Sequence, residues 1–153
     1  MPSLPGIRTE NFSLVFVDAG AALVLRLSGN GDAEVVAPLD RTLKQLHDQL
    51  LHSGARSVVV DFTDLYFMNS SCLKAFVSWI YKVRTCGKPY QIRLQLNPRQ
   101  RWQQRGLEPL QRLAPAIVFL DEVVDGKSAV GAEATSTRAP AAPGQASGGR
   151  QNG

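Results

Sequence analysis

Cysteine and histidine are scarce in this sequence, and several common signatures are missing. The 153 residues include two cysteines and two histidines, too few for a disulfide framework or a recognisable zinc site. No apolar run approaches the length of a membrane span, and residues 1–12 lack the pattern of a secretory signal. No Walker or dinucleotide-binding glycine motif occurs. We therefore expect a cytoplasmic protein with no metal, no cofactor and no membrane association.

Acidic residues are absent from one long stretch of the chain. Residues 65–107 carry 8 basic and no acidic side chains, although the whole chain has a net charge of only +4. The basic block consists of Lys74, Lys82, Arg84, Lys88, Arg93, Arg99, Arg101 and Arg105. A surface of one sign steers acidic partners, which include nucleic acid, phosphate and acidic protein faces. The alternative is an ordinary solvated surface.

Large apolar side chains are missing from the C-terminal segment. Of the 28 residues in 126–153, 20 are Gly, Ala, Pro, Ser or Thr, and none is aromatic, Leu or Ile. Such a segment cannot bury enough apolar surface to offset its conformational entropy. The sequence predicts an N-terminal extension over 1–9, one domain over 10–125 and a disordered tail over 126–153.

Hydrophobic periodicity predicts alternating strands and helices within that domain. Phe12–Val17 and Ala22–Leu27 form a hairpin, and 57–62 is a strand buried on both faces. Helical apolar stripes comprise, first, Leu39, Leu43, Leu46 and Leu50, and second, Leu73, Phe76, Ile80 and Val83. Residues 92–96 form the next strand, Pro98 starts a third helix whose first part ends at Gly106, and 116–120 is the last strand. The order β-β-α-β-α-β-α-β predicts an α/β fold.

A junction between a strand and a helix carries the most specific sequence pattern. Residues 58–76 read VVVDFTDLYFMNSSCLKAF, an apolar strand with an acid, then two serines and a cysteine, then an apolar helix. This pattern resembles the STAS domain, the fold of anti-sigma factor antagonists and of sulfate-transporter C-terminal domains. The resemblance covers about residues 10–122. It implies a four- to five-stranded mixed sheet with helices packed mainly on one face.

The resemblance also implies a function without catalysis. Domains of this family are substrates and binding partners of a serine kinase that acts as an anti-sigma factor, and the acceptor position corresponds to Ser70. The implied contacts with the partner lie in the loop 66–74 and on the exposed side of the following helix. They comprise Asp61, Asn69, Ser71, Cys72, Lys74 and Lys82. We expect a protein partner rather than a membrane or nucleic acid, and a homodimer is left open.

Three residues depart from the family pattern. Asn69 stands where the family has Asp before the acceptor, and Cys72 and Lys74 replace two glycines. Cys72 is expected to pack inward, and Lys74 adds a positive charge one turn from Ser70. A phosphate on Ser70 would meet the unpaired N–H groups of a helix start, while adding about two negative charges to a contact surface.

Other interpretations of these residues remain open. Ser70 and Ser71 could serve only as helix caps, and the domain could be a scaffold that is never phosphorylated. Asp61 and Asp64 could form a carboxylate pair, although Asp61 is better placed to order the loop after its strand. Catalysis by Cys72 or Ser70 is disfavoured, because the histidines at 47 and 52 lie on another helix with solvated neighbours. The alternative from another class is a binder of nucleic acid or an anionic ligand through residues 82–105.

Overall fold

A single six-stranded sheet organises the domain. The structure, a computed structural model, describes residues 4–18, 20 and 22–123. The strands, which lie in the sheet in chain order, are β1 (Ile7–Arg8), β2 (Phe12–Asp18), β3 (Leu23–Gly31), β4 (Ser57–Met68), β5 (Gln91–Leu96) and β6 (Val118–Glu122). A short 3-10 helix (Ala33–Val35) precedes α1 (Val36–Ser53), and α2 (Ser70–Thr85) and α3 (Arg101–Leu113) follow β4 and β5.

The three helices lie on one face of this mixed sheet. β1, β2 and β3 pair antiparallel, whereas β3 to β6 are parallel neighbours joined by helical crossovers. Crossovers of this kind are right-handed, and strands laid down in sequential order then place every helix on the same side. α2 accordingly packs between α1 and α3. The predicted fold class is confirmed, with six strands instead of four or five.

The additional strand lies within the predicted N-terminal extension. Ile7 pairs with Leu14 and Arg8 with Ser13, so the sheet begins before residue 10. Two residues are too few to show the alternation by which a strand is predicted from sequence. The predicted tail, 126–153, lies outside the described residues.

The two faces of the sheet have different chemistry. Val58, Val60 and Phe62 of β4 are fully buried beneath the helices. On the face without helices, Arg26 pairs with Asp61 at 3.5 Å and Arg93 with Asp121 at 3.1 Å. These pairs connect β3 to β4 and β5 to β6. Both faces of residues 57–62 are therefore buried, as predicted, although cross-strand side chains rather than a second helical layer cover the outer one.

β4 is longer than the sequence indicated, and it is irregular. Its register with β3 shifts twice, between the pairs Arg26–Asp61 and Ser28–Asp64 and again between Gly29–Leu65 and Asn30–Phe67. Each shift places one extra residue in β4, as a β-bulge does. Residues 66–68, predicted as loop, are the end of this strand. Pairing of β4 with β5 stops at Asp61, so β3 is the strand partner of the end of β4.

The helices confirm most of the periodicity and correct two boundaries of α3, which begins at Arg101 and not at Pro98, and does not end at Gly106. All four predicted leucines of α1 are buried, and Gly54 ends that helix with a left-handed backbone at φ 70°. α3, however, continues through Gly106 and Pro109 to Leu113. The ring of Trp102 packs where a side chain at position 106 would lie, with its Cε3 3.1 Å from the position of a Cβ. Gly106 is therefore explained by packing and not by helix termination.

Candidate interaction site at the start of α2

Asn69 caps α2 and leaves the two serines free of that role. Its backbone is extended, and its Oδ1 accepts a hydrogen bond from the N–H of Cys72 at 2.9 Å. Its own N–H donates to the carbonyl of Gly31 at 2.8 Å, which holds the cap against the end of β3. Ser70 and Ser71 are thus the first two residues of the helix. The interpretation of the serines as caps is wrong, because an amide oxygen already fills that position.

Both serine hydroxyls face solvent beside two exposed aromatic rings. Neither hydroxyl has a hydrogen-bond partner among the described residues. Tyr66 and Phe67, which precede the cap, are 59% and 49% exposed. Consecutive residues of a regular strand point to opposite faces, so the second bulge explains how both rings reach solvent. Exposed aromatic groups beside a helix start are typical of a contact surface.

The exposed side of α2 continues this surface. Ser70, Lys74, Val77 and Tyr81 recur at helical spacing on its outer side, and Val77 and Tyr81 are 40% and 52% exposed. The guanidinium of Arg84 lies 5.3 Å from the centroid of the Tyr81 ring and donates to the carbonyl of Leu113 at 3.0 Å. Lys82 is exposed on the neighbouring turn. We call Tyr66, Phe67, Ser70, Lys74, Val77 and Tyr81 the α2 surface.

Sequence patterns missed the apolar members of the α2 surface. The sequence placed Tyr66 and Phe67 in the partner-binding loop and Tyr81 on the exposed side of the helix, but it did not single out their aromatic rings as contacts. The number of apolar residues in α2 is the sequence signal that could have identified Val77 and Tyr81 as exposed. α2 has six buried residues, and Val77 and Tyr81 exceed what one buried face can hold.

Cys72 is a core residue whose environment suppresses its reactivity. Its side chain is fully buried, as expected, with Sγ 3.6 Å from the carbonyl oxygens of both Gly31 and Asp32. Burial, and secondarily the nearby Asp32 carboxylate, raise the pKa of the thiol to about 11. The thiol is therefore protonated near neutral pH, and only the thiolate is a good nucleophile. Its role here is packing between β3 and α2.

Asp61 does not lie with the α2 surface. It is on the sheet face opposite the helices, where Arg26 pairs with it. Its Oδ1 accepts hydrogen bonds from the N–H of Thr63 at 2.9 Å and from the hydroxyl of Thr63 at 2.6 Å. The carboxylate thus orders the first bulge of β4, which is the structural role that the sequence favoured. Of the other predicted contacts, Asn69, Ser70, Ser71 and Lys74 lie at the start of α2 and Lys82 lies in its last turn. The prediction of Cys72 as a partner contact is wrong, because its side chain is fully buried.

An unexpected buried amide supports the backbone beneath the site. Gln103 of α3 is fully buried. Its Nε2 donates to the carbonyls of Phe62 at 2.6 Å and Leu65 at 2.9 Å, and its Oε1 accepts from the N–H of Asn97 at 2.7 Å. Asn97 donates in turn to the carbonyl of Thr63 at 3.1 Å. These two amide side chains form hydrogen bonds with backbone carbonyls of β4 beyond the point where its pairing with β5 ends. We call Gln103 and Asn97 the amide clamp.

The two histidines have different environments. His52 is exposed at the end of α1, but His47 is buried, which corrects the expectation of solvated neighbours. The Nδ1 of His47 lies 2.7 Å from the hydroxyl oxygen of Tyr90, and that oxygen accepts from the indole N–H of Trp79 at 2.9 Å. Neither histidine is near the serines, because both lie in the second half of α1. A Ser–His or Cys–His pair is therefore not formed.

The basic block is divided in space. Lys82, Arg84 and Lys88 lie at the end of α2 and in the connection to β5, whereas Arg101 and Arg105 lie at the start of α3. β5, six residues long, separates the two groups by about 20 Å. Arg93, midway, is on the outer sheet face and paired with Asp121. The block 82–105 does not form one continuous basic surface.

Metal-ligand clusters and membrane-spanning helices are both absent from the described part of the chain. Within residues 4–18, 20 and 22–123, no three His, Cys, Asp or Glu side chains are grouped as metal ligands would be. No helix in the same part of the chain combines the length and the apolar character needed to cross a bilayer.

The fold is similar to that of solved anti-sigma factor antagonists. No protein-family model and no curated protein matches the sequence. An anti-sigma factor antagonist from Mycobacterium paratuberculosis superimposes with a TM-score of 0.51 and 18% identity, over 71% of this chain and 85% of that one. The Bacillus cell fate determinant SpoIIAA in its phosphorylated form gives a TM-score of 0.49 and 15% identity, over 73% of this chain and 92% of that one. The described domain therefore has a STAS-like fold, as the strand–helix junction at Asn69 indicated.

Proposed function

We propose that this protein is a non-enzymatic regulatory module that binds a partner protein through the α2 surface. The partner is a serine kinase or another protein resembling an anti-sigma factor, in the cytoplasm of a bacterium. The observation that carries the proposal is that two exposed aromatic residues, Tyr66 and Phe67, lie beside Ser70. The hydroxyl of Ser70 does not serve as the cap of α2. Aromatic side chains are the usual anchors of protein interfaces.

Phosphorylation of Ser70 would control that binding. A phosphoryl group at the first residue of α2 would meet unpaired backbone N–H groups and the Lys74 ammonium one turn away, so the fold tolerates it. The same group would place about two negative charges within the contact surface and weaken binding there. Asn69 is compatible with this scheme because its amide retains the cap that an aspartate would form.

The chemistry of the described residues supports a binding role over a catalytic one. The thiol of Cys72 is buried and protonated, and the serine hydroxyls have no general base within hydrogen-bond reach. Lys82, at the far end of α2, contributes positive charge that would attract an acidic partner without forming the centre of the contact.

The test compares two adjacent serines. Wild-type, Ser70→Asp and Ser71→Asp proteins serve as baits in the source cell, and the captured kinase-like partner is then purified for affinity measurements. We expect Ser70→Asp to weaken binding at least tenfold, about 1.4 kcal/mol, with a melting temperature within a few degrees of wild type. Ser71→Asp is the control, because its side chain lies about 100° around the helix from Ser70 and off the outer stripe.

The outcomes separate binding from switching. Equal affinity of Ser70→Asp and wild type would refute a contact at Ser70. If Tyr66→Ala with Phe67→Ala also bound normally, the α2 surface itself would be refuted. If phosphate were found in cells on Ser71 and not on Ser70, the α2 surface would still stand as the contact, but the proposed switch at Ser70 would be refuted.

A further inference from the structure

A second concave surface lies at the start of α3, apart from the α2 surface. This cleft has a volume of about 650 Å³ and is bounded by the end of β5, the connection to α3, the first turns of α3 and the end of β6. Arg101, Trp102 and Arg105 line one wall, and Asn97 and Glu122 lie across from them. None of the residues 66–74 lines it. Its volume is within the range of about 300–1,000 Å³ that is typical of small-molecule sites.

Two unpaired guanidinium groups dominate the charge of the cleft. Arg101 and Arg105 are one helical turn apart and exposed, and neither has an ion-pair or hydrogen-bond partner among the described residues. Arg112, at the other end of the same helix, is paired with Glu108 at 3.3 Å. The positive charge at the end of α3 is thus neutralised by an ion pair, whereas the two guanidinium groups at its start can bind an anion.

The local backbone adds to this positive potential. Gln100, the residue before α3, makes no side-chain capping bond, and the first turn contains no acidic residue. The start of a helix carries about half a positive charge, which favours an anion in the cleft. Glu122 is the carboxylate among the lining residues, and it partly opposes this effect.

Trp102 gives the cleft a rigid apolar wall. The indole ring rests on Gly106, where any other residue would place a Cβ 3.1 Å from the ring. Its Nε1 is buried and has no hydrogen-bond partner within the described part of the chain. The amide clamp fixes the helix that carries this wall, because Gln103 is bonded to two carbonyls of β4. Ligand binding would therefore occur without rearrangement of the backbone.

We propose that this cleft binds a small phosphate-bearing molecule, with Arg101 and Arg105 as its ligands. Guanidinium groups present paired N–H donors that match the oxygens of a phosphate, and two of them one turn apart suit a ligand with two such groups. The separation of the basic block into two ends of the domain disfavours a nucleic-acid strand, which needs a continuous basic track.

Pyrophosphate is the probe for the test, and the indole N–H of Trp102 is the reporter. In ¹⁵N-resolved NMR at constant ionic strength, we expect saturable shifts of the Trp102 indole and of the N–H groups at the start of α3. The indole of Trp79 is buried and bonded to Tyr90, so its signal should not move. Inorganic phosphate should bind more weakly than pyrophosphate. Titration with citrate tests whether carboxylate groups can take the place of phosphate groups in the cleft.

Charge variants assign the binding to this cleft. Arg101→Gln with Arg105→Gln should weaken pyrophosphate binding at least about tenfold, equal to about 1.4 kcal/mol. Glu122→Gln should strengthen it, and Arg112→Gln, which removes one positive charge from the other end of the same helix, should leave it unchanged. Circular dichroism confirms that each variant is folded.

Three results would overturn the proposal. The first is an absence of saturable shifts at millimolar pyrophosphate. The second is an equal loss of affinity in Arg112→Gln and in the double variant, which would indicate general screening. The third is tighter binding of a short oligonucleotide with shifts at both ends of the domain. None of these results depends on the α2 surface or on Ser70.

Discussion

Two buried polar clusters, one on each side of α2, hold this domain together in different ways. On the α3 side, the amide clamp of Gln103 and Asn97 bonds to the backbone of β4. On the α1 side, His47, Tyr90 and Trp79 bond to one another through side chains only. The clamp replaces a missing strand partner, whereas the aromatic cluster ties two helices to the start of β5. The clamp therefore supports the backbone of β4 next to Tyr66 and Phe67, and the aromatic cluster supports helix packing.

The two clusters also differ in their response to protons. Amides do not titrate, so the clamp is independent of pH. In the aromatic cluster the Tyr90 oxygen accepts from Trp79 and lies 2.7 Å from Nδ1 of His47, whose ring can gain a proton near neutral pH. Burial lowers the pKa of His47, with Lys82 acting in the same direction and Asp48 opposing both. Protonation would place a positive charge on this buried ring, so the aromatic cluster, unlike the clamp, responds to acid.

Loss of the clamp should have the largest effect. Gln103→Leu removes three hydrogen bonds and leaves two buried carbonyls unsatisfied, which should destabilise the domain by about 3–5 kcal/mol. The measurement is denaturant unfolding, with Gln104→Leu, an exposed neighbour, as the control. Hydrogen exchange should increase first at residues 62–68. A loss below about 1 kcal/mol would show that water can replace the clamp.

Removal of the Tyr90 hydroxyl should have an intermediate effect. Tyr90→Phe keeps the ring but leaves Trp79 Nε1 and His47 Nδ1 without their partner, which should cost about 1–3 kcal/mol. In contrast to the clamp variant, partner binding should be preserved, because β4 and the first turn of α2 are unchanged. Increased hydrogen exchange at residues 66–68 would contradict this separation of roles.

Lowering the pH should have the smallest effect on the stability of the domain, and the direction of this effect follows from the pKa of His47. Because its pKa is lowered in the folded state, the unfolded chain binds more protons below the ordinary histidine value of about 6.5. Stability is fully present above that pH and decreases as the pH falls towards the folded-state pKa. Wild type should thus lose more stability than His47→Gln between about pH 7.5 and pH 5.

The exposed histidine is the control for this pH dependence. His52→Gln should follow the wild-type profile, since His52 lies on the surface of α1. Identical profiles for wild type and His47→Gln would show that the pKa of His47 is the same in the folded and unfolded states, so that carboxylates alone set the acid response.

Local sequence was sufficient for much of the fold and for the frame of the site. The leucine stripe of α1 and the apolar strand at 57–62 are periodic over enough residues to identify both elements. Cys72 follows from the same argument, because its place in the α2 stripe predicts burial. The assignment of the serines as alternative caps failed, since Asn69 also favours that position and only the backbone geometry shows which residue occupies it.

The sequence by itself determined the order of strands and helices from β2 to β6, the buried stripes and the position of two serines at the start of a helix. These features depend on residues a few positions apart, for which the periods of about 2 and 3.6 residues are decisive. Only the tertiary structure decided the exposure of Tyr66 and Phe67, the burial of Gln103 and the division of the basic block. Each depends on where pairing with a distant strand stops, and on which polar side chain reaches the backbone left unpaired there.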